Sequence, residues 1–169
     1  MNAAALAIAD RVLLNLPIVT LPRGKVLYHG ARSKNEIVSL RPNAMFTSDL
    51  FYAADYAFRR DLHIHNTDGT ILWRNDLSRS LFCCTLKEDI KIVQITGINW
   101  PKLCMEIKQA DNSMPDYDGW LQRKLPEYLT MRYSGQVSGA TLLSGNNAVL
   151  DEFIFNDANS ILSIHRRID

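Results

Sequence analysis

Between Leu27 and Tyr56 the sequence reads LYHGARSKNEIVSLRPNAMFTSDLFYAADY, and this stretch limits the possible folds more than any other. Val26, Leu27 and Tyr28 form a short apolar run after the turn-like Pro22-Arg23-Gly24, which predicts a buried strand with His29-Gly30 at its end. Glycine there leaves room for another molecule to approach the backbone. Ala44 to Thr47 reads as a second short strand, and Ser48-Asp49 as the cap of a helix through Tyr52, Ala53, Tyr56 and Ala57. The order strand, loop, strand, helix gathers a histidine, a glycine and several aromatics where polar groups can face a cleft.

The flanking sequence supplies a scaffold of mixed type. Ala3 to Leu16 reads as an amphipathic helix stopped by Pro17, with Leu6, Leu13 and Leu16 among its apolar positions. Arg59 to Asp76 is polar and loop-like; His63 and His65 within it do not make a metal site. Leu81 to Leu86 and Ile90 to Ile95 predict two strands around the turn Lys87-Glu88-Asp89. Asn99 to Lys108 and Trp120 to Met131 predict helices, the second with leucines at a four-residue spacing despite Pro126, and Gln109 to Gly119 a loop between them. Trp73, Trp100 and Trp120 read as packing residues. Strand character returns at Ala140 to Leu143, after the turn Ser144 to Asn147 at Val149 to Asn156, and finally at Ser160 to Arg166. Strands on both sides of a helical middle predict an α+β class rather than a βαβ repeat.

A chain of 169 residues with 47% hydrophobic content suits one domain over residues 1–169, with 1–20 as its N-terminal helical segment. Nineteen basic and 18 acidic side chains give a formal charge of +1, so composition carries no footprint for nucleic acid. Cys83, Cys84 and Cys104 form neither an even disulfide set nor a CxxC pair, and read as buried thiols in a reducing compartment. The apolar start lacks a basic n-region and carries Asp10 and Arg11, so it reads as an amphipathic helix rather than as a cleaved signal peptide, and no run approaches a membrane span. The expectation is a cytoplasmic protein, or one delivered into a target-cell cytosol without a cleaved signal, and no membrane insertion.

In the later segment LDEFIFND, Leu150 to Asp157, Glu152 interrupts an otherwise apolar strand. Together with Tyr28-His29-Gly30, Met45-Phe46-Thr47-Ser48-Asp49 and Ala53-Ala54-Asp55-Tyr56-Ala57, the ordered set resembles the ADP-ribosyltransferase superfamily, in its diphtheria-toxin and poly(ADP-ribose) polymerase branch. The resemblance implies a single-domain fold of two packed, mainly antiparallel sheets with flanking helices around an NAD cleft. It implies His29 and Glu152 as catalytic residues, and His29, Gly30, Phe46, Tyr56 and Arg32 around NAD as co-substrate, with either Arg32 or Arg41 as the cation near the diphosphate, and no metal. Phe46 and Tyr56 would sandwich the nicotinamide, and Gly30 would meet its carboxamide. Glu152 would stabilise the positive charge that develops on the ribose as nicotinamide leaves.

The sequence departs from the family pattern in three places. Phe46 stands where the family has tyrosine, Tyr52, Ala53 and Ala54 stand where the polymerase branch has a carboxamide-binding serine, and Leu150 stands where arginine-modifying relatives carry a second glutamate. The implied activity is mono-ADP-ribosylation of a macromolecular acceptor, taken to be a protein, in the manner of a bacterial toxin or effector that an inhibitor or immunity partner would restrain. The segment Ser144 to Ala148 would present the acceptor. The alternatives are an NAD glycohydrolase and a catalytically silent binding module of the same fold; an RNA 2'-phosphotransferase fits less well without a basic bias.

Overall fold

The computed structural model describes residues 1–31, 40, 44–58, 63–65, 71–73, 80–116, 119–143 and 151–168. Helix α1, Ala3–Leu13, starts at Asn2, whose side chain accepts a hydrogen bond from the Ala5 amide at 2.9 Å. It ends three residues before the expected Leu16. A residue preceding proline is biased away from helical dihedrals, and the chain turns off at Asn15 with φ of 71°, a conformation asparagine tolerates better than most. Ala5, Ala9 and Leu13, one stripe at a four-residue spacing, are fully buried.

An unexpected strand β1, Ile18–Leu21, follows and pairs with β7, Ile90–Thr96. The turn at Pro22 holds Gly24 at φ of 82°, a left-handed conformation that suits glycine. It delivers the chain into β2, Val26–Ala31. Then come β3, Met45–Thr47, and α2, Leu50–Phe58. The region expected as a loop contains two short paired strands, β4 at His63–His65 and β5 at Ile71–Trp73. After β6, Ser80–Leu86, and β7 come α3, Trp100–Ala110, and a π turn, Trp120–Lys124, which runs directly into α4, Leu125–Arg132. The remaining elements are β8 at Gly139–Leu143, β9 at Asp151–Phe155, a short α5 at Ala158–Ile161 and β10 at Leu162–Ile168. The π turn is where one continuous helix was expected. Pro126 cannot donate a backbone hydrogen bond and its ring crowds the preceding turn; the wider turn accommodates it, with the Leu125 amide bonding the Trp120 carbonyl.

The fold is α+β, but the two packed sheets expected from the resemblance are replaced by one. Eight strands lie in the order β1-β7-β8-β9-β3-β2-β6-β10, with β4 and β5 as a separate pair. All pairings in the large sheet are antiparallel except β7 with β8. That parallel pair needs a long crossover, supplied by α3, the π turn and α4. Because β8 bonds β7 on one side and β9 on the other, the strands join into one open sheet.

Strand alternation sends side chains to two faces. On one face Val93, Ile95, Ala140, Leu142 and Ile154 meet α1, α3, Trp120 and α4. On the other, Leu27, Phe46, Phe82, Ile92, Phe153 and Phe155 pack with Ala158, Ile161 and Leu162. Trp120 is fully buried and its ring centroid lies 6.0 Å from that of Trp100, so both serve packing. Among the described residues, no helix is long and apolar enough to cross a membrane.

Asp10 ties α1 to α4. One of its oxygens accepts the Tyr128 hydroxyl and Arg132 Nε, both at 2.9 Å, and the other takes a terminal guanidinium nitrogen of Arg132. Burial, followed by this hydrogen bond to Asp10, pushes the Tyr128 hydroxyl well above the ordinary tyrosine range. Replacing Asp10 with Ala strands the hydroxyl of a nearly fully buried tyrosine. The expected loss is about 1–3 kcal/mol in chemical denaturation, with an unchanged denaturant slope.

Candidate functional site

Glu152 is the third member of a row that crosses the middle of the sheet. Tyr28 lies opposite Thr47 in the β2–β3 pair, and Thr47 lies opposite Glu152 in the β3–β9 pair. Partners directly opposite in a ladder share a face, so Tyr28, Thr47 and Glu152 point the same way. Helix α2 lies over that face. It packs so closely on β2 that a side chain on Gly30 would enter contact distance of the Ala53 carbonyl and come within 3.0 Å of the Ala57 amide. The space that glycine opens at position 30 is therefore taken by a helix of this same chain.

The start of α2 is fixed by a sequence of short polar links. Thr47 Oγ1 accepts from the Asp49 amide at 3.1 Å, and Asp49 Oδ1 accepts from the Tyr52 amide at 2.9 Å, the hydrogen bond of an N-cap. Tyr52 then donates its hydroxyl to Glu152 Oε1 at 2.6 Å. That length is at the short end of the range for an O–H···O bond. The ring closes where it began, because Glu152 sits opposite Thr47. Thr47 is 4% exposed and Glu152 half-buried, so the carboxylate stands at the border between packed sheet and solvent. Among the described residues Oε2 accepts no hydrogen bond, which leaves one oxygen held and one able to meet a ligand.

His29 follows Tyr28 and so faces the opposite side of the sheet. Its ring lies 5.3 Å from Phe46 and 6.4 Å from Phe82, within the aromatic cluster of that face. His29 Nδ1 is 2.8 Å from the Met45 carbonyl oxygen, which can only accept, so Nδ1 carries the proton. Phe46 is 2% exposed and packs on His29 and Phe155, with ring centroids 5.3 and 5.5 Å away. It thus has no open face for stacking. Tyr56 belongs to α2, on the Glu152 side of the sheet. Arg32, Arg41 and the segment Ser144 to Ala148 lie outside the described residues.

The residues singled out from sequence therefore fall into two groups. Glu152, Gly30 and the helix bearing Tyr56 belong to one face, and His29 and Phe46 to the other. Tyr52, read in the sequence as a helix position and as a departure from the family's serine, is the side chain that meets Glu152. The signal that could have found it is its place three residues after the predicted cap at Asp49, which puts it in the first turn beside the strand that α2 leaves.

A half-buried carboxylate with one held oxygen can stabilise positive charge that develops beside it. The buried Phe46 and the covered Gly30 offer an aromatic ligand no open surface. No group of three or more potential metal ligands occurs among the described residues. A depression of about 480 Å³ beside α3, lined by Pro101, Cys104, Met105, Lys108, Gln109, Asn112 and Asp116, shares no residue with this site. Neither protein-family models nor curated proteins give a match to the chain.

Two measurements follow from this placement. Phe46→Ala removes a core ring, so it is expected to cost about 3–5 kcal/mol in stability; a ligand wall would instead leave the melting temperature almost unchanged. Burial, and secondarily the neighbouring Cys83, pushes the Cys84 thiol up to about 12. Burial and then Asp116 push Cys104 up to about 11. Both thiols stay protonated in the folded protein at neutral pH, and iodoacetamide at pH 8 is expected to spare them until the protein is unfolded. Their shifts are upward, so the stability they contribute is intact below the unfolded thiol value near 9 and is lost as pH rises towards 11–12. A denaturation series across that window checks the sign.

Proposed function

We propose that the chain is an NAD-dependent mono-ADP-ribosyltransferase of the diphtheria-toxin and poly(ADP-ribose) polymerase type, acting on a macromolecular acceptor as a toxin or effector would. One observation carries the reading: Glu152, the carboxylate that the ordered motifs single out, stands half-buried on the middle of the sheet with one oxygen bonded to Tyr52 and the other without a hydrogen bond among the described residues. The bond to be cleaved joins the ribose anomeric carbon to the pyridinium nitrogen. Its electron pair goes to nicotinamide, which leaves neutral, and the ribose becomes an oxocarbenium-like cation. Glu152 stabilises that cation, and an acceptor nucleophile then bonds the anomeric carbon and gives up a proton.

A second reading, the catalytically silent binding module, is favoured by one observation. His29 and Phe46, two of the three family positions, face away from Glu152 and are engaged in the opposite cluster. Incubation with labelled NAD and a cell lysate separates the readings. Label on a macromolecule supports transfer, free ADP-ribose supports the glycohydrolase variant, and neither product supports the binding module.

Glu152→Gln keeps size and removes charge. Turnover is expected to fall by at least about 100-fold with an unchanged melting temperature, since a preorganised charge acting in the transition state is lost. Asp151→Asn serves as the control, because Asp151 occupies the neighbouring register position and faces the other side. Near-normal turnover in Glu152→Gln together with loss in Asp151→Asn refutes the assignment of Glu152.

A further inference from the structure

We infer that Tyr52 is a positioning residue, which holds Glu152 in the one orientation that brings its outer oxygen to the substrate. The inference rests on the transferase reading given above and adds to it a residue that the motif does not contain. A glutamate on a strand has three side-chain torsions, and a half-buried carboxylate at the edge of solvent can rotate among several wells. The Tyr52 hydroxyl removes that freedom by donating to Oε1 at 2.6 Å. The donor itself is rigidly mounted. A tyrosine has two side-chain torsions, its amide is fixed on the Asp49 cap, and Asp49 is fixed on Thr47, the strand neighbour of Glu152. The lateral position of α2 is set by its seat on Gly30, where a side chain would be blocked by the backbone of Ala53 and Ala57.

Two consequences distinguish positioning from catalysis. Tyr52 holds Oε1, the oxygen other than the one left for substrate, so its hydroxyl need not touch the reacting atoms. It also makes the carboxylate a poorer partner for bulk water, because one of its oxygens is already engaged. The geometry is therefore paid for in the free enzyme, before any substrate arrives, and its effect belongs in the chemical step rather than in ground-state binding.

The test is steady-state NAD cleavage by the full chain as wild type, Tyr52→Phe, Glu152→Gln and the double variant. Tyr52→Phe keeps the ring and removes only the hydroxyl. Its kcat is expected to fall on the order of 10- to 100-fold, the cost of a misplaced catalytic group, while KM for NAD stays within about threefold. The double variant is expected to be no slower than Glu152→Gln alone, since the hydroxyl has nothing left to position.

A tyrosine analogue fluorinated on the ring, placed at position 52, supplies a second variant that retains the shape should Tyr52→Phe fold poorly. Its hydroxyl ionises near neutral pH and then cannot donate, so kcat is expected to drop above neutrality in that protein alone. Three outcomes overturn the inference. Wild-type kcat in Tyr52→Phe, with Glu152→Gln inactive, removes Tyr52 and leaves the transferase reading standing. A raised KM with unchanged kcat makes Tyr52 a substrate contact instead. Wild type no faster than Glu152→Gln ends both the reading and the inference.

Discussion

Three residues of β3 join the two halves of the sheet. On one side lie β1, β7, β8 and β9, and on the other β2, β6 and β10. Met45, Phe46 and Thr47 each pair with β9, while among the described residues β2 meets β3 through the pair Tyr28 and Thr47. So short a strand cannot hold by its ladder alone. Phe46 contributes more, since burying such a ring is worth about 1.5–3 kcal/mol by area, and it lies between the rings of His29 and Phe155. His29 adds a bond from its ring to the Met45 carbonyl. Much of the aromatic content of the region is thus used to keep a narrow strand in place.

That use explains why the two faces differ. Around β2 and β3 the face of His29 is built of packed aromatic rings, and the face of Glu152 carries tyrosine, threonine and carboxylate under a helix that begins with a polar cap. The Thr47, Asp49, Tyr52 and Glu152 links need α2 at one height over the sheet, and Gly30 supplies it by having no side chain. A larger residue at position 30 would lift the helix and part the phenol from the carboxylate. The glycine and the glutamate are coupled through Tyr52 although they do not touch.

Much of this was legible in the sequence. The strand at Val26 to Tyr28, the cap at Asp49, the helix through Tyr52 and the strand around Glu152 follow from apolar runs and turn residues, and those local signals prevailed in the fold. The join of the strands into one sheet was not legible, because the parallel pairing of β7 and β8 depends on where a crossover of α3 and α4 docks, a matter of tertiary packing. Nor was the orientation of His29. The resemblance implies a site shared by His29 and Glu152, but strand alternation decides the face, and that requires the register of β2 on β3. The π turn came from a conflict between leucines at helical spacing and Pro126, which a periodic pattern does not resolve.

The narrowness of the sheet at β3 has an effect on its own cohesion. Glu152 belongs to β9, on one side of the join, and Tyr52 to α2, which rides on β2, on the other. Their hydrogen bond spans the join from above. Any molecule that grips the carboxylate and the helix together adds a second span. By linkage, its binding free energy then resists the parting of the two halves, so that amides around Phe46 become the most sensitive reporters of an occupied site.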